Sequence, residues 1–405
     1  MQKYALIGKT LKHSYSKIIH SFLGDYSYEL VELEENELKE FVKNKSYNGF
    51  NVTIPYKKKI IEYLDRLDES VIKMGSVNTV AKINGQLVGY NTDFYGMQYM
   101  LSLAGISLKD KKVIILGTGG TSCTAMAVAK SQNAKEVIVL SRSGEINYSN
   151  YQTQCDAQVI INTTPVGMYP NVDDCPIDLG VFKNLSGVVD VIYNPNQTKL
   201  IYNAKKLGIK CCNGLSMLVA QGVYASQIWT GEKKGDAVVK NVLFNVEDKL
   251  KNVVLVGMPS CGKSVIGKIL AEKLNLQFVD SDKEIERKTG LTPEKIILEQ
   301  GEDSFRNIET QVIKEICSKI GKVIATGGGA VLKEENRFYL KMNGKVVYLE
   351  RDLNKLSILN RPISKSVGIE ELYKKRHPIY SQVCDIRVQN NSDILNAVKG
   401  VIEKL

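Results

Sequence analysis

The segment Gly257-Met-Pro-Ser-Cys-Gly-Lys-Ser264 constrains the fold of this chain more than any other. It matches the phosphate-loop pattern GxxxxGK[ST] at every fixed position, between an apolar run at 252–256 that predicts a strand and a periodic segment at 263–274 that predicts a helix. In such a loop the backbone N–H groups surround nucleotide phosphates, the lysine reaches the outer phosphates and the last hydroxyl ligates magnesium. The segment therefore predicts an ATP and magnesium site, with contacts from Ser260, Cys261, Gly262, Lys263, Ser264 and Val265.

A second glycine-rich loop, Gly117-Thr-Gly-Gly-Thr-Ser122, follows a predicted strand at 113–116 and opens a predicted helix at 121–130. The pattern is weaker, because Ser122 stands where the dinucleotide motif has glycine. It predicts that the backbone of Gly117, Thr118, Gly119, Gly120 and Thr121 approaches a pyrophosphate.

The next predicted strand ends in Leu140-Ser-Arg-Ser143, without the carboxylate that usually holds the ribose of NAD. A cation and two hydroxyls, from Ser141, Arg142 and Ser143, suit a 2′-phosphate and predict NADP(H). An arginine in a solvated turn, with NAD as the cofactor, is the alternative. Only about twenty residues separate Arg142 from the next predicted strand, so we expect one strand–helix unit to be reduced or missing.

The chain is 405 residues long, which is too long for one ordinary core, and apolar runs alternate with amphipathic segments throughout. We expect an α/β protein with three domains: an α/β substrate domain at 1–100, a Rossmann-like domain at 101–248 whose last helices return to the first, and a phosphate-loop domain with a parallel sheet at 249–405. Strands are predicted at 4–7, 28–33, 49–53, 137–140, 158–161, 188–191, 322–325 and 345–349, and helices at 35–43, 56–64, 215–229, 237–250 and 394–405.

Composition excludes several classes of function. The eight cysteines include no CxxC pair, which argues against a disulfide framework or structural zinc. The net charge is +10, but no basic run is interleaved with aromatic residues, so we expect small anionic ligands rather than nucleic acid. No apolar run is long enough for a membrane span, and we expect the protein in the cytoplasm. The sequence does not predict an oligomeric state.

Polar segments in the first half indicate a substrate site: Lys12-His-Ser-Tyr-Ser16, Asn51-Val-Thr-Ile-Pro-Tyr-Lys57, Gly75-Ser-Val-Asn-Thr79, Tyr90-Asn-Thr-Asp93, Ile161-Asn-Thr-Thr-Pro-Val-Gly-Met168, Asn213-Gly-Leu-Ser-Met217 and Leu218-Val-Ala-Gln221. Together they resemble shikimate dehydrogenase over about residues 1–248. Lys17 is a departure, because the family often has proline after the second serine.

The resemblance implies that Ser14, Ser16, Thr53, Asn78 and Gln221 bind the substrate, that Lys57 and Asp93 flank the reacting oxygen, and that Tyr193 and Gly214 approach the nicotinamide. An ammonium beside a carboxylate can deliver a proton to an oxygen that receives a hydride on its carbon. Which of Lys57 and Asp93 carries the proton is left open. Taken singly, the serines or Asp93 could cap a helix and Lys57 could be solvated.

Charged segments follow the phosphate loop: Phe278-Val-Asp-Ser-Asp282, Gly301-Glu-Asp-Ser-Phe-Arg306 with Glu309, Thr326-Gly-Gly-Gly329, Asn360-Arg-Pro362 and Arg376-His-Pro-Ile-Tyr380. They resemble shikimate kinase over about residues 252–405. The resemblance implies that Asp282 binds and helps deprotonate the acceptor hydroxyl, that Arg306 and Arg376 clamp the substrate carboxylate, and that Gly328 and Gly329 let the backbone approach the ring. It also implies that Asp280 supports magnesium and that Arg361 belongs to a lid over ATP. A solvated Arg306–Glu309 pair and a polar loop at 280–282 are the alternatives.

The two resemblances predict consecutive reactions: 3-dehydroshikimate is reduced with NADPH, and ATP then phosphorylates the shikimate formed. Two alternatives keep the kinase but change the first half, either to an NAD-dependent quinate/shikimate dehydrogenase or to a ligand-sensing module without catalysis. Nucleic-acid binding driven by net charge is a third alternative, although the sequence contains no recognition motif for it.

Overall fold

The computed structural model of the protein describes residues 1–11, 14–356 and 368–405. The chain divides into two compact units, Met1–Val246 and Glu247–Leu405. The first unit contains two separate sheets and the second contains one, which confirms the predicted α/β class. We keep 1–100, 101–248 and 249–405 as the proposed domain division.

The first sheet has the strand order β2-β1-β3-β5-β6-β4. Its strands are β1 (Lys3–Gly8), β2 (Ser27–Glu32), β3 (Gly49–Val52), β4 (Arg66–Leu67), β5 (Thr79–Ile83) and β6 (Gln86–Tyr90). The strands β5 and β6 form an antiparallel hairpin, and β5 is also antiparallel to β3. Asn84 and Gly85 join the hairpin with φ angles of 50° and 80°, as an Asn-Gly turn allows.

Three short helices accompany this sheet: α1 (Ser16–His20), α2 (Leu38–Asn44) and α3 (Glu69–Met74). The helix predicted at 56–64 is instead a 3₁₀ turn at Lys59–Tyr63. The turn ends at Tyr63 because Leu64 adopts an extended conformation, which ends the helical hydrogen bonds, and Ile60 within the turn is buried in the core.

The second sheet is parallel, with the strand order β11-β10-β9-β7-β8. Its strands are β7 (Lys112–Leu116), β8 (Glu136–Leu140), β9 (Val159–Asn162), β10 (Gly187–Asp190) and β11 (Lys210–Cys212). The helices of this part are α4 (Asp93–Leu103), α5 (Gly120–Ser131), α6 (Lys199–Lys206), α7 (Leu215–Thr230) and α8 (Asp236–Lys249). Between β8 and β9 the chain forms only a 3₁₀ turn, Tyr151–Gln154, which confirms the predicted loss of a strand–helix unit.

The long helix α7 completes the core of the first sheet. The indole N–H of Trp229 donates to the Val80 carbonyl at 2.9 Å, and its ring stacks on Tyr4 with 4.4 Å between centroids. A side chain at Gly49 would collide with the indole, since a Cβ atom there would lie 2.6 Å from Nε1. The first sheet is therefore closed by a helix that follows it by more than a hundred residues.

The third sheet, in the second unit, is parallel with the order β13-β14-β12-β15-β16. Its strands are β12 (Asn252–Val256), β13 (Gln277–Asp280), β14 (Lys322–Ala325), β15 (Gly344–Glu350) and β16 (Ile386–Gln389). The helices are α9 (Lys263–Leu274), α10 (Ser281–Thr289), α11 (Pro293–Gln300), α12 (Glu302–Ser318), α13 (Glu334–Met342), α14 (Ile369–Val383) and α15 (Ile394–Ile402). The phosphate loop leaves the central strand β12, so the carboxyl ends of β13 and β14 lie on one side of it and those of β15 and β16 on the other.

Within the described ranges, no helix combines the length and apolar character that crossing a membrane requires.

Candidate active sites

A close ion pair lies at the centre of the first unit. Lys57 Nζ is 2.6 Å from Asp93 Oδ2, and the two side chains are 25% and 9% exposed. The Asn78 amide donates to the other carboxylate oxygen, Asp93 Oδ1, at 2.9 Å and to Gln221 Oε1 at 2.9 Å. Asp93 is the first residue of α4. Because Asn78 holds one oxygen, the second oxygen is directed at the ammonium.

This pair borders a cavity of about 270 Å³. The cavity is lined by seven of the residues predicted for the substrate or nicotinamide, namely Ser14, Ser16, Thr53, Lys57, Asn78, Tyr193 and Gln221. Asp93 is not among the described residues that line this cavity, but its carboxylate pairs with Lys57, which does line it. The structure thus brings together side chains from α1, the segment after β3, the residue before β5, α4 and α7.

Two residues of this cavity were missed by the sequence analysis. Asn51 accepts a hydrogen bond from Tyr28 at 2.7 Å and donates to Thr79 Oγ1 at 3.0 Å. His20 stacks on Tyr28 with 3.9 Å between ring centroids, and burial lowers the pKa of the imidazole to about 3. The imidazole is therefore neutral at physiological pH. Asn51 opens a segment already singled out, whereas His20 could have been found from its position one helical turn after Ser16.

A second cavity in the first unit, of about 710 Å³, contains the other glycine loop. Of the predicted cofactor residues, it is lined by Gly117, Thr118, Gly119, Gly120, Thr121, Ser141 and Arg142. Ser143 is exposed and is not among the described residues that line it. Tyr148, from the shortened connection, lines the cavity too; burial raises the pKa of its phenol, and the nearby Arg142 opposes that rise.

The two cavities adjoin along the segment that contains residues 53 and 54. Thr53 and Met168 line the smaller cavity, and Ile54 and Val166 line the larger one. A dinucleotide in the larger cavity can therefore place one end beside a substrate in the smaller one.

A buried carboxylate supports the loop that carries Tyr193. Asp190 accepts hydrogen bonds from Thr198 Oγ1 at 2.7 Å, Asn162 Nδ2 at 3.0 Å and the Ile192 N–H at 3.1 Å. Burial raises the pKa of Asp190 to about 6, and these hydrogen bonds oppose the rise. The carboxylate thus fixes the chain on both sides of Tyr193.

Gly214, the other residue predicted near the nicotinamide, packs backbone against backbone. A Cβ atom there would lie 1.9 Å from the Val191 carbonyl oxygen, so the position has no room for a side chain. Its N–H donates to the Ile192 carbonyl at 3.0 Å. Gly214 thus lets α7 begin directly against the Tyr193 loop.

The phosphate loop of the second unit is held in a wound conformation. Ser260 and Gly262 have φ angles of 63° and 99°. Lys263 Nζ donates to the carbonyls of Gly257 and Met258 at 2.8 Å each. Cys261 has a buried side chain and offers the site only its backbone.

A cavity of about 300 Å³ lies over this loop. It is lined by Ser260, Gly262, Lys263, Ser264, Val265, Asp280, Asp282, Thr326, Arg351 and Ile394. Arg351 is a further residue that the sequence analysis missed, although a basic residue two positions after the predicted strand at 345–349 could have pointed to it.

Two oxygen ligands suited to magnesium meet at the edge of this cavity. Ser264 Oγ donates to Asp280 Oδ2 at 2.7 Å, while Asp280 Oδ1 accepts from the Asp282 N–H at 3.0 Å. No group of three or more His, Cys, Asp or Glu side chains that could hold a metal occurs among the described residues. This donor set fits magnesium, which takes most of its ligands from phosphates and water.

The predicted acceptor residues surround the turn that contains Gly328 and Gly329. Arg306 is paired with Glu309 at 2.7 Å and with Glu302 at 2.9 Å. A Cβ atom at Gly329 would lie 2.5 Å from two guanidinium nitrogens of Arg306. The turn thus packs directly on this arginine because it has no side chain.

Asp282 and Arg376 complete this cluster. Asp282 Oδ1 would lie 2.8 Å from a Cβ atom at Gly327. Arg376 is buried, and its Nε has no hydrogen-bond partner among the described residues. Burial raises the pKa of Glu309, while Arg306 and Arg376 oppose the rise. Arg361, the predicted lid residue, lies outside the described residues.

Two family models match the chain. Residues 6–80 match the shikimate dehydrogenase substrate binding domain, and residues 259–405 match shikimate kinase.

Among curated relatives, an NADP(+) shikimate dehydrogenase of Caldicellulosiruptor saccharolyticus is 41% identical over 262 residues, covering 56% of this chain and 92% of the relative. One from Clostridium beijerinckii is 35% identical over 248 residues, with the same coverages. Among solved structures, a chorismate mutase/shikimate 5-dehydrogenase fusion protein of Clostridium acetobutylicum is similar with a TM-score of 0.59 and 33% identity, over 62% of this chain and 98% of that one. A shikimate 5-dehydrogenase of Thermus thermophilus in complex with NADP(H) and shikimate is similar with a TM-score of 0.56 and 27% identity, over 61% of this chain and 100% of that one.

Proposed function

We propose that this chain, which belongs to the shikimate dehydrogenase family and has a shikimate kinase domain after it, catalyses two consecutive reactions of the shikimate pathway. The first is reduction of 3-dehydroshikimate to shikimate with NADPH. The second is phosphorylation of shikimate to shikimate 3-phosphate with ATP and magnesium. The observation that supports the proposal is that each unit contains a cavity bordered by the residues proposed to react, Lys57 with Asp93 in one and Lys263 with Ser264 and Asp280 in the other.

In the dehydrogenase half, the glycine loop at Gly117–Thr121 is proposed to hold the pyrophosphate of NADPH, and Ser141 and Arg142 the 2′-phosphate. When bound, the nicotinamide supplies the hydride. Lys57 is placed to stabilise the negative charge that develops on the substrate oxygen, and the Lys57–Asp93 pair supplies the proton that completes the hydroxyl.

The remaining cavity residues are proposed to orient the substrate. Ser14, Ser16 and Gln221 line the cavity and offer hydroxyl and amide groups to its carboxylate and hydroxyls. Thr53 and Asn78 line the same cavity and are proposed to bind the substrate too, while Tyr193 and Gly214 are proposed to lie beside the nicotinamide.

In the kinase half, Asp282 is proposed to orient the acceptor hydroxyl and accept its proton as the oxygen attacks the γ-phosphorus. Arg306 and Arg376 are proposed to bind the carboxylate of shikimate through their planar N–H forks. Lys263 and magnesium, held by Ser264 and Asp280, offset the charge on the transferred phosphoryl group. Arg361 is proposed to close over ATP.

The proposal is tested with the intact protein, 3-dehydroshikimate, NADPH, ATP and magnesium, by following NADPH loss and ADP formation separately. We expect Lys57→Ala to lower NADPH oxidation by about 10²–10⁴-fold and to leave ADP formation from added shikimate unchanged. We expect Lys263→Ala to remove ADP formation and to leave NADPH oxidation unchanged.

The chain provides a matched control for each variant. Lys58 is exposed beside Lys57, and Lys268 is exposed on the same helix as Lys263. Alanine at either position is expected to leave both rates unchanged. Loss of both activities in a folded single-site variant would refute two independent sites.

The cofactor assignment is tested by comparing kcat/KM with NADPH and with NADH. The position of Arg142 at the rim of the larger cavity predicts a preference for NADPH. A preference for NADH would refute this assignment while leaving the substrate assignment intact.

A further inference from the structure

Arg351 lies at the carboxyl end of β15, directly beside the phosphate loop. The strands β15 and β12 pair in parallel, with Tyr348 aligned with Val256, the last residue before the loop. A Cβ atom at Gly257 would lie 2.5 Å from the Leu349 carbonyl oxygen, so the two segments are in close contact. Arg351 therefore lies beside the phosphate loop and lines the cavity over it.

The backbone on both sides of Arg351 is held in place. The Asn390 N–H donates to the Glu350 carbonyl at 2.7 Å, and the Asp352 N–H donates to Asn391 Oδ1 at 2.8 Å. Asn390 also donates through its side chain to the Cys261 carbonyl in the phosphate loop, at 2.8 Å. One segment after β16 thus fixes the position of Arg351 and of the phosphate loop together.

The guanidinium of Arg351 has an unused donor. Its Nε is fully buried and has no hydrogen-bond partner among the described residues. A buried donor on a charged group is costly unless an acceptor meets it, and a ligand with several anionic oxygens can provide one. The same cavity contains Lys263 and Ser264, which are already suited to phosphate and magnesium.

We propose that Arg351 binds the polyphosphate of the nucleotide, as a second cation beside Lys263. This inference rests on the proposed kinase function of the second unit. A planar N–H fork suits two phosphate oxygens at once, which an ammonium group cannot match. Arg351 also approaches from β15, so it can contact oxygens that Lys263, held from the loop side, leaves open.

The test uses the full-length chain and the variants Arg351→Gln and Arg351→Lys. We measure the KM for ATP at saturating shikimate and the inhibition constants of ADP and adenosine. With Arg351→Gln, we expect the KM for ATP and the inhibition constant of ADP to rise about tenfold or more. Adenosine inhibition and the KM for shikimate should change less than twofold. Arg351→Lys should lie between the wild type and Arg351→Gln.

The control is Arg287→Gln, because Arg287 is exposed on α10 and paired with Glu284 on the same helix. It should behave as the wild type. An ADP inhibition constant within twofold of the wild type in Arg351→Gln would overturn the inference, as would an equal loss for adenosine and ADP, which indicates contact with the base. If Arg351→Gln does not fold, the test rests on Arg351→Lys. An inhibition constant of ADP equal to the wild-type value in that variant would overturn the inference. A wild type that phosphorylates no shikimate contradicts the proposed function instead.

Discussion

The pKa of Asp190 predicts how the stability of the first unit depends on pH. Asp190 is completely buried, and its pKa rises from an ordinary 3.8 to about 6 on folding. Between these two values the folded state holds a proton that the unfolded state has released. Folding stability therefore falls as the pH rises through this range, and the contribution is fully present only below about pH 4.

The size of the effect follows from the same two values. At about 1.4 kcal/mol per pH unit, the ionised carboxylate costs the folded state about 3 kcal/mol above pH 6. About 2 kcal/mol of this falls between pH 4 and pH 7, where unfolding is readily measured. The variant Asp190→Asn lacks the titrating group. The difference in unfolding free energy, wild type minus variant, should therefore fall by about 2 kcal/mol from pH 4 to pH 7.

The assay is urea unfolding followed by tryptophan fluorescence. Trp229 is the only tryptophan in the chain and packs on Tyr4, so the signal reports the first unit. His20 acts in the opposite direction, because its lowered pKa removes stability as the pH falls below about 6.5. Taking the difference between Asp190→Asn and the wild type cancels the contribution of His20. A difference that is constant between pH 4 and pH 7 would refute the reasoning about Asp190.

Two glycine substitutions test the close packing of the two sites. Gly214→Ala places a methyl group 1.9 Å from the Val191 carbonyl oxygen, and we expect it to destabilise the first unit by about 3 kcal/mol or more. The matched control in the same urea assay is Gly235→Ala, because a Cβ atom there has no neighbour within 4 Å. The atoms nearest to a Cβ at Gly329 are those at the end of the Arg306 side chain, so Gly329→Ala should displace the guanidinium. We expect it to raise the KM for shikimate about tenfold, with little change in thermal unfolding. An unchanged KM for shikimate would show that Arg306 does not bind the acceptor.

The sequence predicted the parallel parts of the fold better than the antiparallel part. The helix predicted at 263–274 is α9 with the same bounds, because a phosphate loop and an apolar face define both of its ends. The β5–β6 hairpin was missed, although Asn84-Gly85 is a strong signal for a two-residue turn. Asn78, which the site uses, lies just before β5, and the polar segment around it does not show the alternation of apolar and polar residues that predicts a strand.

The sequence likewise identified some of the site residues and missed others. The phosphate-loop motif identified Lys263 because its chemistry requires a particular residue type at a particular spacing, whereas the resemblance to shikimate dehydrogenase identified Lys57 and Asp93. Asn51 and Arg351 were missed because what brings them to the cavities is pairing with distant strands, and a sequence pattern does not contain that pairing. The burial of Asp190, which raises its pKa, likewise depends on how α6 packs on the second sheet.

The hydrogen bond between Asn78 and Gln221 joins residues that are 143 positions apart, and the bond from Trp229 to Val80 spans 149. The bonds from Lys263 Nζ within the phosphate loop span only five or six positions, and one further bond, from Asn390 to the Cys261 carbonyl, spans 129. On the ribosome, the first cavity therefore cannot close until α7 has emerged from the exit tunnel, and the first sheet lacks its covering helix until then. The phosphate loop can wind as soon as its own residues and the neighbouring strands are available. The first sheet is thus synthesised first but is completed only after α7 has been synthesised.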